Sequence, residues 1–308
     1  MVRIRLASCL ITAATAWLVS SQTSETPQDD GNKVYLSSHS LHMPYIDEEM
    51  RSNYFEFGGD TVINTYKGIR LTPDLPSRAG WLWSKHALPT NSWEVEFEFK
   101  ISGSGTNIFG DGFAFWATTN DPENGPVFGS VNNFDGLGIF FDTYANSKVS
   151  HNFPYVMAMI GDGKTPYDND KDGSNTEAAG CEAEIRDRSF PTKALVTYFR
   201  GEYLELKLQW EAEDKWTPCF LIDKVTLPSL IFLGFSAHTG EISDAHEIIS
   251  ISSHSVKKKK VAQPMYTAKP AHRNDSSSGW LWKLLALGGV GGVIYYLYKN
   301  NNQNSKRF

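Results

Sequence analysis

Seven consecutive residues, Trp93-Glu94-Val95-Glu96-Phe97-Glu98-Phe99, alternate strictly between large apolar and acidic side chains. An extended strand points successive side chains to opposite faces, so the apolar groups must share a buried face and the glutamates an open one. A helix, with 3.6 residues per turn, would scatter both sets around its axis. The rest of 33–253 is similarly written in short apolar runs broken by Gly, Pro, Asn and Asp, without a sustained helical period. Further strands are predicted at 113–117, 136–141, 156–160, 194–199, 203–209 and 230–236, several of them apolar on both faces. Strands of that kind lie inside a sandwich of two sheets, and the predicted domain is all-β.

The flanks read differently. Arg3 and Arg5 precede an apolar run to Val19, and small residues follow at 20–21, the pattern of a cleaved secretory signal over 1–21. Residues 280–298 are mostly apolar, with Trp280 and Trp282 at one end and Tyr295, Tyr296 and Tyr298 at the other. That is a short single-pass transmembrane helix with aromatic belts, leaving the bulk of the chain lumenal (type I) and a cytosolic tail at 299–308. Between domain and membrane, 254–279 is rich in Lys, Pro, Ser and His and reads as a flexible stalk, with a glycosylation sequon at Asn274. At 308 residues the chain has room for one large domain plus these accessories. Its net charge is −6, and its one basic run, 257–260, falls in the stalk, so no nucleic-acid partner is indicated. Cys9 leaves with the signal, and Cys181 with Cys219 is the even pair expected to form a disulfide in an oxidising compartment.

Two acidic, Asn-containing loops follow apolar strands: Asp142-Thr143-Tyr144-Ala145-Asn146 and Asp168-Asn169-Asp170-Lys171-Asp172-Gly173. Hard cations such as Ca²⁺ take six to eight oxygens from carboxylates, amides, backbone carbonyls and water, which such loops supply. The second loop opens like an EF-hand, but Ala179 stands where the bidentate Glu should be. Read alone, both loops are equally consistent with ordinary polar turns.

A series of phrases, in order, decides between these readings: Ile69-Arg70-Leu71-Thr72-Pro73, Gly110-Asp111-Gly112-Phe113-Ala114-Phe115-Trp116, Gly125-Pro126-Val127-Phe128-Gly129-Ser130, Gly138-Ile139-Phe140-Phe141-Asp142-Thr143-Tyr144 and Thr239-Gly240-Glu241-Ile242-Ser243-Asp244. From about Leu41 to Ser253 the chain resembles the eukaryotic L-type lectins, the family of vesicular and ER–Golgi cargo lectins. The resemblance implies a jelly-roll, concanavalin A-like sandwich of two antiparallel sheets and a calcium-dependent lectin for high-mannose N-glycans, without enzymatic activity. It implies calcium ligands at Asp142, the Tyr144 carbonyl, Asn146 and Asp172. It implies mannose contacts at Ser77, Asp111, Asn146, Asn169 and the backbone of Gly240, Glu241 and Ile242. A matching Asp in the family often follows a cis peptide bond. By the same resemblance the protein is a cargo receptor or sorting lectin in the ER, the ER–Golgi intermediate compartment or the Golgi. Its partners are glycoprotein cargo, the membrane and coat proteins at the tail.

The sequence departs from the family at Asn169, where relatives carry a histidine sugar contact, and Asn does not titrate near neutral pH. His238, two residues before Gly240, is the nearest titratable replacement by sequence, although it reads more readily as a half-exposed loop residue without a role. Trp81, Trp83 and Trp116 are expected in the core rather than stacked on sugar. Two alternatives remain: a lectin-like adaptor without sugar binding, and a jelly-roll glycoside hydrolase using Glu94, Glu96 and Glu98. Alternate residues of a strand lie about 6.6 Å apart, near the spacing such carboxylates need, but no neighbour in the sequence is expected to raise a glutamate pKa there.

Overall fold

The computed structural model describes residues 32–146 and 151–257, together with positions 297 and 299, which are helical and belong to a separate unit spanning 259–308. The signal at 1–21, the sequon at Asn274 and, apart from Leu297, the membrane span lie outside the described residues. No helix among the described residues is long and apolar enough to cross a membrane.

All strand pairings are antiparallel, and they build two sheets. The eight-stranded sheet runs β13 (Thr217–Asp223), β12 (Tyr203–Gln209), β11 (Thr192–Phe199), β6 (Ser92–Ser102), β15 (Ala245–Val256), β4 (Gly68–Thr72) and β3 (Val62–Asn64), with β1 (Lys33–Tyr35) on the far end of β15. The seven-stranded sheet runs β10 (Ala179–Glu182), β9 (Tyr155–Asp162), β8 (Asp135–Asp142), β7 (Gly112–Thr118), β14 (Phe232–Thr239), β5 (Arg78–Ser84) and β2 (Phe55–Gly59). The alternating segment behaves as its sequence requires. Trp93, Val95, Phe97 and Phe99 are at most 1% exposed, and the three glutamates stand on the outer face. Phe97 stacks on Phe115 and meets Phe235 edge-on, while Phe113 stacks on Phe141, so aromatic rings from both sheets interdigitate at mid-core.

The seven-stranded sheet is covered on both faces. Phe113, Phe115, Leu137, Ile139, Val156 and Ala158 point into the main core. Their neighbours Trp116, Phe140, Met157 and Met159 point outward into a second cluster, closed by Phe128, Phe134 and Tyr167 from the connecting loops. Trp83 and Trp116 are buried here, as expected of core tryptophans, and the Trp116 indole donates to Ser236 Oγ at 2.8 Å.

Two expectations need correction. The last strand runs on to Val256, so residues 254–256 are not stalk but complete the sheet beside β1. The strand expected at 230–236 is β14, shifted toward its C-terminus, which places His238 in a strand paired on both sides rather than in a loop. The loop at 168–173 folds as a 3-10 turn over Asn169–Lys171, with Asp172 following it in the left-handed region (φ 50°).

Cys181 and Cys219 form the disulfide, joining the edge strand β10 of one sheet to the edge strand β13 of the other. The bond spans 38 residues of sequence, and the chain-entropy relation puts its worth at about 4 kcal/mol. The double variant Cys181→Ala/Cys219→Ala is therefore expected to lose about 4 kcal/mol in urea unfolding. A loss below about 1 kcal/mol would mean that the unfolded chain gains little freedom from the cut.

His246, on β15, is fully buried; its Nδ1 lies 2.7 Å from Thr72 Oγ1 and its Nε2 has no hydrogen-bond partner among the described residues. Burial, reinforced by the charges of Arg186 and His238, lowers its pKa to about 3. Above the unfolded value near 6.5 both states are neutral and the group costs nothing. Below it the unfolded chain binds a proton that the folded chain refuses, so stability falls as the pH drops from 6.5 toward 3. Between pH 7 and 5 this amounts to about 2 kcal/mol. Urea midpoints at the two pH values should show that extra loss in the wild type relative to His246→Gln, and equal losses would show that His246 takes up its proton in the folded state.

Candidate functional site

The register of the seven-stranded sheet assembles the site. Asp142 of β8 pairs with Gly112 of β7, which pairs with His238 of β14, which pairs with Ala79 of β5. Across this row at the sheet's end, the loops leaving each strand meet. Gly112 occupies the crowded centre at φ 143°, where an added Cβ would stand 2.2 Å from the Phe141 carbonyl oxygen. Only glycine meets both demands.

Asp111 follows a cis peptide bond from Gly110. Its carbonyl accepts from the Thr143 amide (2.9 Å) and hydroxyl (3.1 Å), and its Oδ2 lies 3.0 Å from His238 Nδ1. Gly110 packs so closely on Tyr144 and Ile242 that a Cβ there would come within 2.7 Å of the Tyr144 Cβ. Asp142 is 4% exposed and accepts the Tyr144 amide at 2.9 Å, while Asp172, 2% exposed, accepts both the backbone and side-chain amides of Asn146 at 2.9 Å. Of the second loop's carboxylates, Asp172 lies near enough for its charge to act on Asp142, whereas Asp168 meets Asn175 and Lys171. Asn169 gives its amide to the Pro126 carbonyl at 3.1 Å. A cleft of about 190 Å³ is lined by Asp111, Asp142, Asn146, Asn169 and His238 over an apolar floor of Pro126, Phe128 and Tyr167.

The predicted residues Ser77, Gly240, Glu241 and Ile242 frame this cleft from one side without lining it. The Ser77 amide donates to the Gly240 carbonyl at 2.9 Å, and Gly240 lies beside the Asp111 carboxylate. Their loop is braced from behind. Asp74 accepts from Ser104 and from Ser243, and buried Asp244 takes three bonds of 2.8–3.1 Å from Arg186, whose guanidinium also lies over the Phe109 ring at 4.1 Å. These bonds hold Arg186 firmly protonated, while burial lifts the Asp244 carboxyl above its ordinary range, with the Arg186 contacts opposing that shift. Neither this brace nor the Pro126–Tyr167 floor was foreseen from the sequence; the phrase Gly125-Pro126-Val127-Phe128 was the one available hint of the floor.

Electrostatically the cleft asks for a cation. Burial pushes the Asp142 carboxyl well above the usual range, and the charges of Asp172 and Asp111 push it further, against the single Tyr144 amide that favours ionisation. Burial and the carboxylates of Asp142, Asp172 and Asp168 likewise drive the Tyr167 phenol up. Two buried carboxylates with an amide and backbone oxygens beside them form the donor set of a hard cation. Among the described residues no cluster of three His, Cys, Asp or Glu side chains gathers, so amide, backbone or water oxygens would complete the shell.

A larger cavity, about 320 Å³, opens elsewhere and is lined by Lys67, Glu98, Lys100, Arg188 and Phe190. Glu98, expected to be unperturbed, has a raised pKa from burial, with Lys193 opposing and Glu96 adding to the shift. The other two glutamates are neutralised: Glu94 pairs with Lys33 and Glu96 with Lys193. One perturbed carboxyl flanked by ion pairs does not make an acid and nucleophile couple. We therefore place the functional site at the smaller cleft, where polar groups converge.

Comparison with known proteins gives the family and the fold. The sequence profile of the legume-like lectin family matches residues 32–263. An L-type lectin-like domain-containing protein of Schizosaccharomyces pombe is 40% identical over 223 residues, 72% of this chain and 72% of that protein. The vesicular integral-membrane protein VIP36 of Canis lupus familiaris is 41% identical over 226 residues; the match spans 72% of this chain and 63% of VIP36. The VIP36 lumenal domain, solved in a Ca²⁺/Man-bound form, superposes with a TM-score of 0.71 at 38% identity, covering 74% of this chain and 94% of that one. The carbohydrate recognition domain of Emp47p, at 22% identity and a TM-score of 0.61, shares the fold.

Proposed function

We propose, since the chain belongs to the legume-like lectin family, that it is a calcium-dependent lectin for high-mannose N-glycans that sorts glycoprotein cargo between ER and Golgi. The observation that carries the reading is the pair of buried carboxylates, Asp142 holding the Tyr144 amide and Asp172 clamping Asn146, beside a polar cleft lined by Asp142, Asn146 and Asp111. The VIP36 domain that superposes on this fold was solved with Ca²⁺ and with mannose-containing glycans.

In this reading Asp142, Asp172, Asn146 and the Tyr144 carbonyl hold the ion. A bound calcium supplies the positive charge that lets two buried carboxylates stay ionised side by side. The protein's own groups do the rest. Asp172 fixes the Asn146 backbone and amide together, so the ligand meets a side chain already ordered, and the entropic cost of binding falls. Asp111, held through its own carbonyl, accepts from sugar hydroxyls; Asn169, Ser77 and the backbone of Gly240, Glu241 and Ile242 complete the rim. In this reading the protein acts by binding, in keeping with its lectin family. Around the domain we assign a cleaved signal at 1–21, a stalk following Val256 with a glycan at Asn274, a membrane span at 280–298 and a coat-facing tail at 299–308. This type I topology suits the ER, intermediate compartment or Golgi, and relatives bearing the name vesicular integral-membrane protein support it.

One observation favours the sugar-free adaptor: the Asn169 amide is already committed to Pro126. Glycan-array binding of the full-length chain in detergent, with calcium and with a chelator, separates the two. High-mannose glycans should be retained with calcium and lost on chelation; no binding in either condition would establish the adaptor, and release of sugar would establish a hydrolase.

A further inference from the structure

We propose that His238 is a ligand-binding residue of this cleft, its Nδ1–H fixing Asp111 and its Nε2 accepting a hydroxyl of the bound sugar. The inference rests on the lectin reading and extends it to a residue outside the set inferred from sequence. His238 Nδ1 stands 3.0 Å from Asp111 Oδ2 across 127 residues of sequence. A carboxylate only accepts, so the contact needs a proton on Nδ1, and in the neutral tautomer that has it there Nε2 is the acceptor. Among the described residues Nε2 has no hydrogen-bond partner, and the imidazole, 37% exposed, lines the cleft.

The placement is rigid. His238 lies within β14, paired to Gly112 of β7 on one side and Ala79 of β5 on the other, so its backbone cannot drift as a loop residue would. Asp111 is tied to it twice: besides the carboxylate contact, the Asp111 amide reaches the His238 carbonyl at 3.4 Å. Asn169, which lines the same cleft, has given its amide to Pro126. The imidazole therefore brings to the cleft an acceptor that is fixed and uncommitted. With Asp111 Oδ1 beside it, the geometry suits a sugar ring offering two neighbouring hydroxyls as donors, a specificity for an uncharged vicinal diol rather than for an anionic sugar.

The two nitrogens can be tested separately. The side-chain amide nitrogen of Asn occupies nearly the position of imidazole Nδ1, so His238→Asn keeps the hold on Asp111 and loses the outer acceptor, whereas His238→Leu loses both. We would titrate the detergent-solubilised full-length chain calorimetrically at saturating calcium with methyl α-mannoside and its four monodeoxy analogues. Losing a charge-assisted contact and a sugar hydrogen bond should weaken His238→Leu at least about tenfold, with His238→Asn recovering part of that affinity. One deoxy analogue should be penalised about tenfold in the wild type and hardly at all in His238→Asn, a pattern that a purely structural role would not produce. If the wild type binds and His238→Leu stays within about twofold of it, the inference falls and the lectin reading stands. Should every deoxy penalty survive in His238→Asn, the Nε2 contact is wrong; a wild type that binds no mannoside at all removes both readings.

Discussion

Replacing Asp142 or Asp172 by asparagine is expected to abolish mannose binding while leaving a folded sandwich. Asparagine keeps the shape and, for Asp172, tolerates the left-handed backbone at φ 50°. What it removes is charge. Without metal, ionised Asp142 is an unfavourable group, buried and facing Asp172 and Asp111, so Asp142→Asn should be at least as stable as the wild type in chelator. With metal the order reverses. Calcium at a hundredfold excess over its Kd stabilises a binding-competent chain by about 2.7 kcal/mol, a gain the variants forfeit. Thermal unfolding with and without calcium, paired with mannoside titration, tests both halves. A variant that still gains stability from calcium and still binds mannoside would move the metal site elsewhere.

Asp244→Ala should be the most damaging single change in the brace behind the sugar loop. It leaves Arg186, only 10% exposed, without the carboxylate that takes three of its hydrogen bonds and with exposed Asp187 as its remaining ion-pair partner. Breaking a buried pair by removing one partner costs about 3–5 kcal/mol, because the surviving charge stays desolvated. Replacing both, Arg186→Met with Asp244→Leu, leaves no orphan and should recover most of that loss. Affinity is expected to follow a different course. Residues 240–243 are anchored on Asp244, so both variants should bind mannoside more weakly than their stability alone implies. Urea unfolding of the three proteins reads the first effect. If the double variant is as unstable as the single one, the charge pair is not the source of the loss.

How far the sequence reaches depends on how each strand hides or displays its period. In β6 the alternation is undisturbed, and the strand was legible almost to its ends. In β15 it is broken by a bulge between Ile248 and Ser250, so that Ile248 and Ile251, three apart, both face the core, while serines blur the pattern between them. Trp81-Leu82-Trp83 of β5 is apolar on both faces because the second cluster covers its outer side, and β13 carries a proline that suits an edge strand. Within the site, the sequence identified Asp142, Asn146 and Asp172, and the fold brings these three together. It could not say that Asp168 of the same loop meets Asn175 and Lys171 instead, since that is decided by a 3-10 turn and one left-handed residue. Nor could it pair His238 with Asp111, a contact created by strand register alone.

The position of β15 bears on how the domain can be made. Although the last strand among the described residues, it is inserted between β6 and β4 in the interior of its sheet, and it also pairs with β1, the first of them. During synthesis β6 therefore has one edge open, and β1 has no strand to join, until residues near 256 have emerged. Folding by stages from the N-terminus is closed to such a topology, since its decisive pairings span most of the domain and their loop-closure entropy must be met late and together. The nascent chain must instead keep long apolar strands from pairing wrongly for nearly the whole of its synthesis, which makes early chaperone cover, rather than final stability, the condition on which its yield depends.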